Sequence, residues 1–473
     1  MYSYSNGVLL NLFALALVGG SWSVPFIFSL RYRQIIYRLR LSAKTNNAIS
    51  HRDVIGAIDD SRKKASRHEY HQEQSLVRIE QKISSLLALQ ACSKKENSEP
   101  ILDILFVTSN GAGMGHISRL LAVAEKLESD CSFELLTLSL AYRNVAKTGV
   151  TVHYFPSSEA AGETPTRWNR KFRDYFAQLL RQRRPRLVVF DGTWVYTGLT
   201  EMCRALDIPL VWMQRGMWKE SVNETSVQRH DVASVADYVI IPGEFAGTEK
   251  VQTGPGVQPN YVPPILRTYR HELLSRESAC HELGLDPREQ YVLLNLGGGS
   301  ISDPKSIANA TLRCIRRMAP ELTVVQVVSP LAPPEPSDSN IVSVSRYPIM
   351  DCIRAFEFMV AAAGYNSAQE GVYLGVPTIL VPNKATKTDD QVRRAHLLGE
   401  QGLCLVADDE TDLEVAIHEM SIKSRRDEIQ RKSEDLPAPT GAYDSATLLK
   451  AIIEKNDWVN SRDSIIGTWE EGD

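Results

Sequence analysis

The chain has 473 residues, 43% hydrophobic and 23% charged, and a formal net charge of −4. This length suggests two or three globular domains with a sizeable core, and the weakly acidic balance excludes general nucleic-acid binding. The seven cysteines are scattered without a C-x-x-C pair, which excludes a disulfide framework or a zinc site and fits a reducing compartment.

Residues Met1 to Leu30 carry no charged side chain, and Val8 to Leu30 is long enough to cross about 30 Å of hydrocarbon. Arg31, Arg33, Arg38, Arg40 and Lys44 follow, so the positive-inside rule predicts a single-pass anchor over 1–30 with everything after it in the cytoplasm. A cleaved signal peptide would need positive charge ahead of the apolar run, and none is there. Gly19, Gly20, Ser21, Ser23 and Pro25 leave an interfacial or re-entrant segment as one alternative, and a buried helix is the other. Residues 31–99 read as a basic juxtamembrane stretch, then a polar helical stalk and linker. Leu76, Ile79, Ile83, Leu86 and Leu87 recur there at helical spacing, and two chains could pair through the stalk as a homodimer, although its heptad pattern is weak.

At Ile101 the character changes. A buried strand to Thr108, a glycine-rich turn and a helix over Ile117 to Leu127 form the first unit of a Rossmann-like domain spanning 100–254. Further strands are expected at Phe133 to Leu138, Thr151 to Phe155, Arg186 to Phe190, Pro209 to Met213 and Tyr238 to Ile241, with a helix over Trp168 to Arg183. Such alternation implies a parallel sheet with right-handed crossovers. The Pro- and Gly-rich stretch 255–264 reads as an interdomain linker. A second alternating series fills 265–440, and 441–473 reads as a helix returning to the first domain, then an acidic tail.

The turn GAGMGHISR carries chemistry. Gly111, Gly113 and Gly115 let the backbone approach an anion, and His116 and Arg119 share one face of the opening helix. His116 could take a proton from an acceptor hydroxyl or donate to a phosphate, and Arg119 could hold a phosphate. The plain alternative makes His116 a helix cap and Arg119 a surface residue. Asp191, ending a strand in DGTW, is a second candidate base or a turn cap. Trp168, Trp194, Trp212 and Trp218 could stack on acceptor sugars or fill the core.

In the second series, LGGGS follows a strand, and the amides of Gly297, Gly298, Gly299 and Ser300 can form an anion nest. No Lys follows as in an ATP-type loop, which leaves a diphosphate to backbone, helix dipole and Arg215 or Arg346. The stretch AAAGYNSAQEGVYLGVPTILVPNKATKTDDQ, from Ala361 to Gln391, is the most ordered of all. Its strand stops at Gly364, and Asn366 or Ser367 is expected to cap a helix whose first amides face a phosphate. Glu370, one turn in, can accept from both hydroxyls of a ribose. Asp390 and Gln391 open a later helix and could hold sugar hydroxyls.

At these residues the chain resembles the GT-B glycosyltransferases of family 28, the peptidoglycan lipid-intermediate N-acetylglucosaminyltransferase type. Gly364, Asn366, Ser367, Glu370, Gly375, Pro377, Pro382, Asp390 and Gln391 fill that family's pattern. The resemblance covers roughly Ile101 to Ile453. It implies an α/β GT-B fold, two Rossmann-like doubly wound domains facing a cleft, here preceded by the membrane helix and stalk. It also implies that Glu370 meets the ribose, that Asp390 and Gln391 meet the donor sugar, and that a backbone amide near Arg346 to Asp351 contacts the base. Pro348 cannot donate, so Ile349 is the expected donor of that contact.

The expectation is transfer of a sugar, with inversion, from a nucleoside diphosphate donor, UDP by preference, to a hydroxyl of a lipid-linked or cell-surface glycan precursor. No cofactor is expected, and no D-x-D stands where a metal would be held. A nucleotide-sugar hydrolase or epimerase of the same fold, and a non-catalytic subunit anchoring a partner transferase, are the alternatives.

Overall fold

The computed structural model describes residues 102–109, 114–214, 216–247, 250–251, 253–296, 304–327 and 341–467, with backbone alone at 304–305 and 457–467. The expected anchor and stalk lie outside these residues, as do Gly111, Gly113, Arg215, Gly297, Gly298, Gly299 and Ser300. No helix among the described residues is long and apolar enough to cross a membrane.

Two parallel sheets organise the chain. The first runs β3-β2-β1-β4-β5-β6-β7, with β1 Leu102–Thr108, β2 Phe133–Thr137, β3 Val152–Tyr154, β4 Pro185–Asp191, β5 Leu210–Met213, β6 Tyr238–Pro242 and β7 Pro259–Val262. The second runs β10-β9-β8-β11-β12-β13, with β8 Gln290–Asn295, β9 Leu322–Val327, β10 Ile341–Val344, β11 Phe358–Ala362, β12 Thr378–Val381 and β13 Leu405–Val406. Seven helices matter below: α1 Gly115–Ala124, α2 Pro165–Arg183, α3 Pro304–Met318, α4 Tyr365–Leu374, α5 Gln391–Glu400, α6 Glu410–Ser421 and α7 Gly441–Gly467.

The central strands are buried on both faces, which is why β1 and β4 read as apolar runs rather than alternating ones. On one face of the first sheet, α2 brings Trp168, Phe172 and Phe176 to Trp212 and Ile241. On the other, α1 packs with Ala442, Ala446, Leu449, Ile452 and Ile453 of α7, so the last helix belongs to the first domain's core. The start of α7 needs glycine, because a Cβ on Gly441 would lie 1.9 Å from the Pro263 carbonyl oxygen. The second sheet is covered by α4 and α5 on one face and by α3 and α6 on the other.

The stretch expected as a linker is only partly one. Its residues Pro259–Val262 pair with β6 as the edge strand, in register from Val239 with Pro259 to Pro242 with Val262. Proline is tolerated at the first position of an edge strand, so the composition that suggested a linker does not forbid a strand there. The first domain therefore continues through Val262.

The domains are tied at the backbone by an isolated antiparallel bridge between Trp218 and Asp389. The Lys219 N–H donates to the Thr388 carbonyl at 2.9 Å, and the Asp390 N–H to the Met217 carbonyl at 3.0 Å. Beside them Arg394 of α5, fully buried, donates to both oxygens of Glu244 just after β6. Its Nη2 also reaches Asp389 Oδ1 at 3.0 Å, and its Nη1 reaches the Ala363 carbonyl at 3.0 Å.

Candidate active site

Each sheet reverses its strand order at one place, between β1 and β4 and between β8 and β11, and doubly wound sheets bind ligands outside the carboxyl ends of their strands at that point. The sequence places its candidate groups there. His116 opens α1 just after β1, and Asp191 ends β4. The His116 Nδ1 lies 2.7 Å from Asp191 Oδ1. A carboxylate can only accept, so Nδ1 carries the proton and Nε2 is left as the basic nitrogen. Arg119, one turn along α1, donates from Nε to Asp191 Oδ2 at 2.7 Å and from Nη2 to Oδ1 at 2.6 Å.

These bonds decide between the sequence readings of Asp191 and Arg119. Asp191 is fully buried, and burial alone would raise its pKa, but the Arg119 and His116 charges and hydrogen bonds outweigh it and hold the carboxyl below its ordinary value. A carboxylate with a depressed pKa and no exposure is a poor base and a good orienting group for an imidazole. Asp191, expected as an alternative base or a turn cap, lies in contact with both the His116 imidazole and the Arg119 guanidinium. Arg119, expected at a phosphate or at the surface, is 3% exposed and faces Asp191 with its fork. Burial works against its charge, but Asp191 raises its pKa further.

At the second switch point the candidate groups are backbone and one carboxylate. Gly364, extended at φ −66° and ψ 156°, is the N-cap of α4, and no side chain caps the helix. The expected caps Asn366 and Ser367 lie inside the first turn instead. Asn366 Nδ2 donates to the Gly115 carbonyl at 3.2 Å, drawing the side chain across to the first domain. The opening amides of α4 are thus free of side-chain caps, as are those of α1 after Met114. Gly375 ends α4 in the left-handed region, at φ +76°.

Glu370 is half-buried on α4. Burial pushes its pKa up to about 7, although the Arg267 backbone N–H and the Arg267 charge pull it down. Arg267 stacks over Tyr347 with its Cζ 5.0 Å from the ring centroid, and the Tyr347 hydroxyl meets Ser118 of α1 at 2.6 Å. Arg267, Tyr347 and Glu370 therefore gather where α1 faces the second domain. Ile349 is 8% exposed, its side chain is in the core, and its carbonyl accepts from the Cys352 N–H at 3.0 Å. Arg346 is occupied by Asp351 and Glu282.

The two residues expected at the donor sugar carry local bonds. Gln391 is 3% exposed, its Oε1 accepts from the Asn383 N–H at 3.0 Å, and its Nε2 donates to Asp389 Oδ2 at 3.3 Å, so the amide holds its own loop. Asp390 is the N-cap of α5, its Oδ1 accepting from the Arg393 N–H at 3.1 Å. Of the four tryptophans, Trp168, Trp212 and Trp218 are core residues, and Trp194 alone of these is exposed, at 39%.

Residues 337–446 match the model of the glycosyltransferase family 28 C-terminal domain, which covers β10 to the start of α7 and with it α4, Glu370 and α5. No curated protein matches the sequence. Among solved structures, the spinosyn forosaminyltransferase SpnP is similar with a TM-score of 0.53 at 16% identity, over 75% of this chain and 99% of its own. A UDP-glucosyltransferase from Polygonum tinctorium is similar with a TM-score of 0.53 at 16% identity, over 76% of this chain and 100% of its own. The calicheamicin glycosyltransferase CalG4 gives 0.50 at 17% identity, over 75% and 98%. At such identities the likeness is one of fold, and the fold is GT-B. The chain is a GT-B glycosyltransferase whose residues 337–446 carry the family 28 C-terminal domain.

Several residues of this glycosyltransferase's cleft escape a reading by motif. Arg394 sits on the buried stripe of α5 with Gln391, Ala395 and Leu398, and an arginine at an apolar i, i+3, i+4, i+7 position is a usable signal for a buried ion pair. Its partner Glu244 had no such signal, since it lies in a loop after β6. Tyr347, Tyr365 and Arg267 are ordinary in sequence and acquire their places only when the domains meet.

Proposed function

We propose that this glycosyltransferase moves a sugar from a nucleoside diphosphate donor, UDP-linked, to an acceptor hydroxyl, with inversion and without a metal. The carrying observation is the 2.7 Å contact of His116 with Asp191 at the first sheet's switch point, beside an uncapped donor helix whose Asn366 touches Gly115. His116 takes the acceptor proton on Nε2 while Asp191 stabilises the resulting imidazolium, as an orienting carboxylate does for a histidine base. The α4 amides receive the departing diphosphate, whose charge grows as the bond to the anomeric carbon breaks, and Glu370 accepts from the ribose hydroxyls. Base and leaving group act on opposite faces of the sugar, which inversion requires.

The acceptor in this reading is a lipid-linked or cell-surface glycan precursor. Residues 1–30 anchor the enzyme with its catalytic domains in the cytoplasm, a reading supported by the basic residues that follow them. Deleting 1–40 should release activity from membranes, and a full-length protein that fractionates as soluble sinks the anchor.

Two variants test the chemistry. Titration of UDP into Glu370→Ala should show affinity weaker by about 1.5–3 kcal/mol in a folded protein. His116→Ala should bind UDP like wild type while sugar transfer falls by about 10²- to 10⁴-fold. Equal loss of UDP affinity in both would make His116 a phosphate ligand, and unchanged affinity in Glu370→Ala would remove the ribose assignment.

A further inference from the structure

The first residue of the donor helix is built into the acceptor domain's ion pair. Tyr365 is 5% exposed, and its ring lies under the Arg119 guanidinium, with Cζ 5.0 Å from the centroid. Its hydroxyl is fixed twice, donating to the Gly243 carbonyl at 2.9 Å and accepting from the Ile265 N–H at 3.1 Å. Gly243 follows β6 and Ile265 follows β7 of the first domain, so the ring cannot follow α4 away without breaking two buried hydrogen bonds. A flat aromatic face against a desolvated guanidinium contributes more than the same contact in water, and Arg119 is 3% exposed.

The remaining charge on that arginine is spent on Asp191, which in turn holds His116. The next residue of the same helix turn, Asn366, grips the Gly115 carbonyl immediately before His116. The imidazole is therefore held from the second domain along two routes, through the backbone at Gly115 and through the stack of Tyr365, Arg119 and Asp191. We propose that Tyr365 is a positioning residue, keeping the His116–Asp191–Arg119 cluster in its productive arrangement only while the donor helix is seated against the first domain. This rests on the reading of His116 as the base, and it adds that the orientation of the base depends on the donor domain.

The test uses the full chain and two substitutions. Tyr365→Phe keeps the ring and loses the hydroxyl bonds, whereas Tyr365→Met keeps apolar volume and loses the ring face. The structural readout is the low-field proton resonance of the His116 Nδ1–H bonded to a carboxylate, assigned by its absence in His116→Ala. The functional readouts are kcat for sugar transfer and UDP affinity.

Tyr365→Phe should keep the resonance and stay within about threefold of wild-type kcat. Tyr365→Met should lose the resonance to exchange with water and about 10- to 100-fold in kcat, with UDP affinity within about threefold. A Tyr365→Met protein with the resonance and kcat of wild type overturns the proposal. If Tyr365→Met does not fold, Tyr365→Phe decides, because a folded Phe variant without the resonance overturns a role for the ring. Should His116→Ala retain full turnover, the base reading fails on its own, while the resonance still reports whether Tyr365 positions the imidazole.

Discussion

The two switch points share a strand order and differ in what fills them. At the first, a carboxylate and an arginine are both buried, each almost entirely used by the other, and the carboxyl stays ionised. At the second, the carboxylate of Glu370 is half-buried beside one backbone amide, and its pKa rises to about 7. Burial pushes both acids the same way, so the difference lies in the partner: a bidentate guanidinium outweighs desolvation, whereas one amide together with the Arg267 charge does not. The carboxylate of the first point is thus bonded on both oxygens, and that of the second accepts from one backbone amide.

The largest effect should come from breaking the complete end. Asp191→Asn leaves Arg119 buried without its anion and lets the His116 tautomer reverse, so kcat should fall by about 10²- to 10⁴-fold and stability by about 3–5 kcal/mol. Paired turnover and urea-unfolding measurements check this, and a stable Asp191→Asn protein would mean that the first switch point is no more committed than the second. Acid acts in the same direction. The folded pKa of Asp191 lies below its unfolded value, so its stabilisation is present above the ordinary carboxylate range and is lost as pH falls through the lowered folded value.

A second, smaller break is at the tie between the domains. Arg394→Met strands Glu244 and Asp389 in the interior, and unfolding should show a loss of about 3–5 kcal/mol. Adding Glu244→Leu should recover part of that loss, since the substitution removes one of the unpaired charges. Additivity of the two losses would show that the pair is not coupled.

The smallest effect sharpens the comparison from the donor side. Glu370 is an acid whose folded pKa lies above its unfolded value, so the unliganded protein should gain thermal stability as pH falls from about 7.5 toward 5.5. In the proposed function the ribose hydroxyls donate to the ionised Glu370, so UDP affinity should change in the opposite sense, falling about tenfold per pH unit below about 7. Calorimetry across this range should show the slope in wild type and a flat line in Glu370→Gln. A flat wild-type line would mean that Glu370 does not meet the ribose.

The two alternating β/α series, the order of the glycine turns, the placement of His116 and Asp191 at a helix start and a strand end, and that of Glu370 one turn into its helix were legible in the sequence. These follow from local rules, since apolar runs of strand length, helix-period stripes and turn residues constrain the chain over a few neighbours. The same local rules misplaced the α4 cap and hid β7, because the carbonyl that claims Asn366 is 251 residues away and the strand paired with Pro259–Val262 is reached only across an intervening loop. Packing alone brought Arg119 to Asp191, Gln391 and Asp390 to partners in their own loop and helix, and Arg394 to Glu244. The physical reason is common to all of these. A buried charged or polar side chain takes whatever partner the packed elements bring within hydrogen-bond reach, and that partner may stand 150 residues away, as Glu244 does from Arg394.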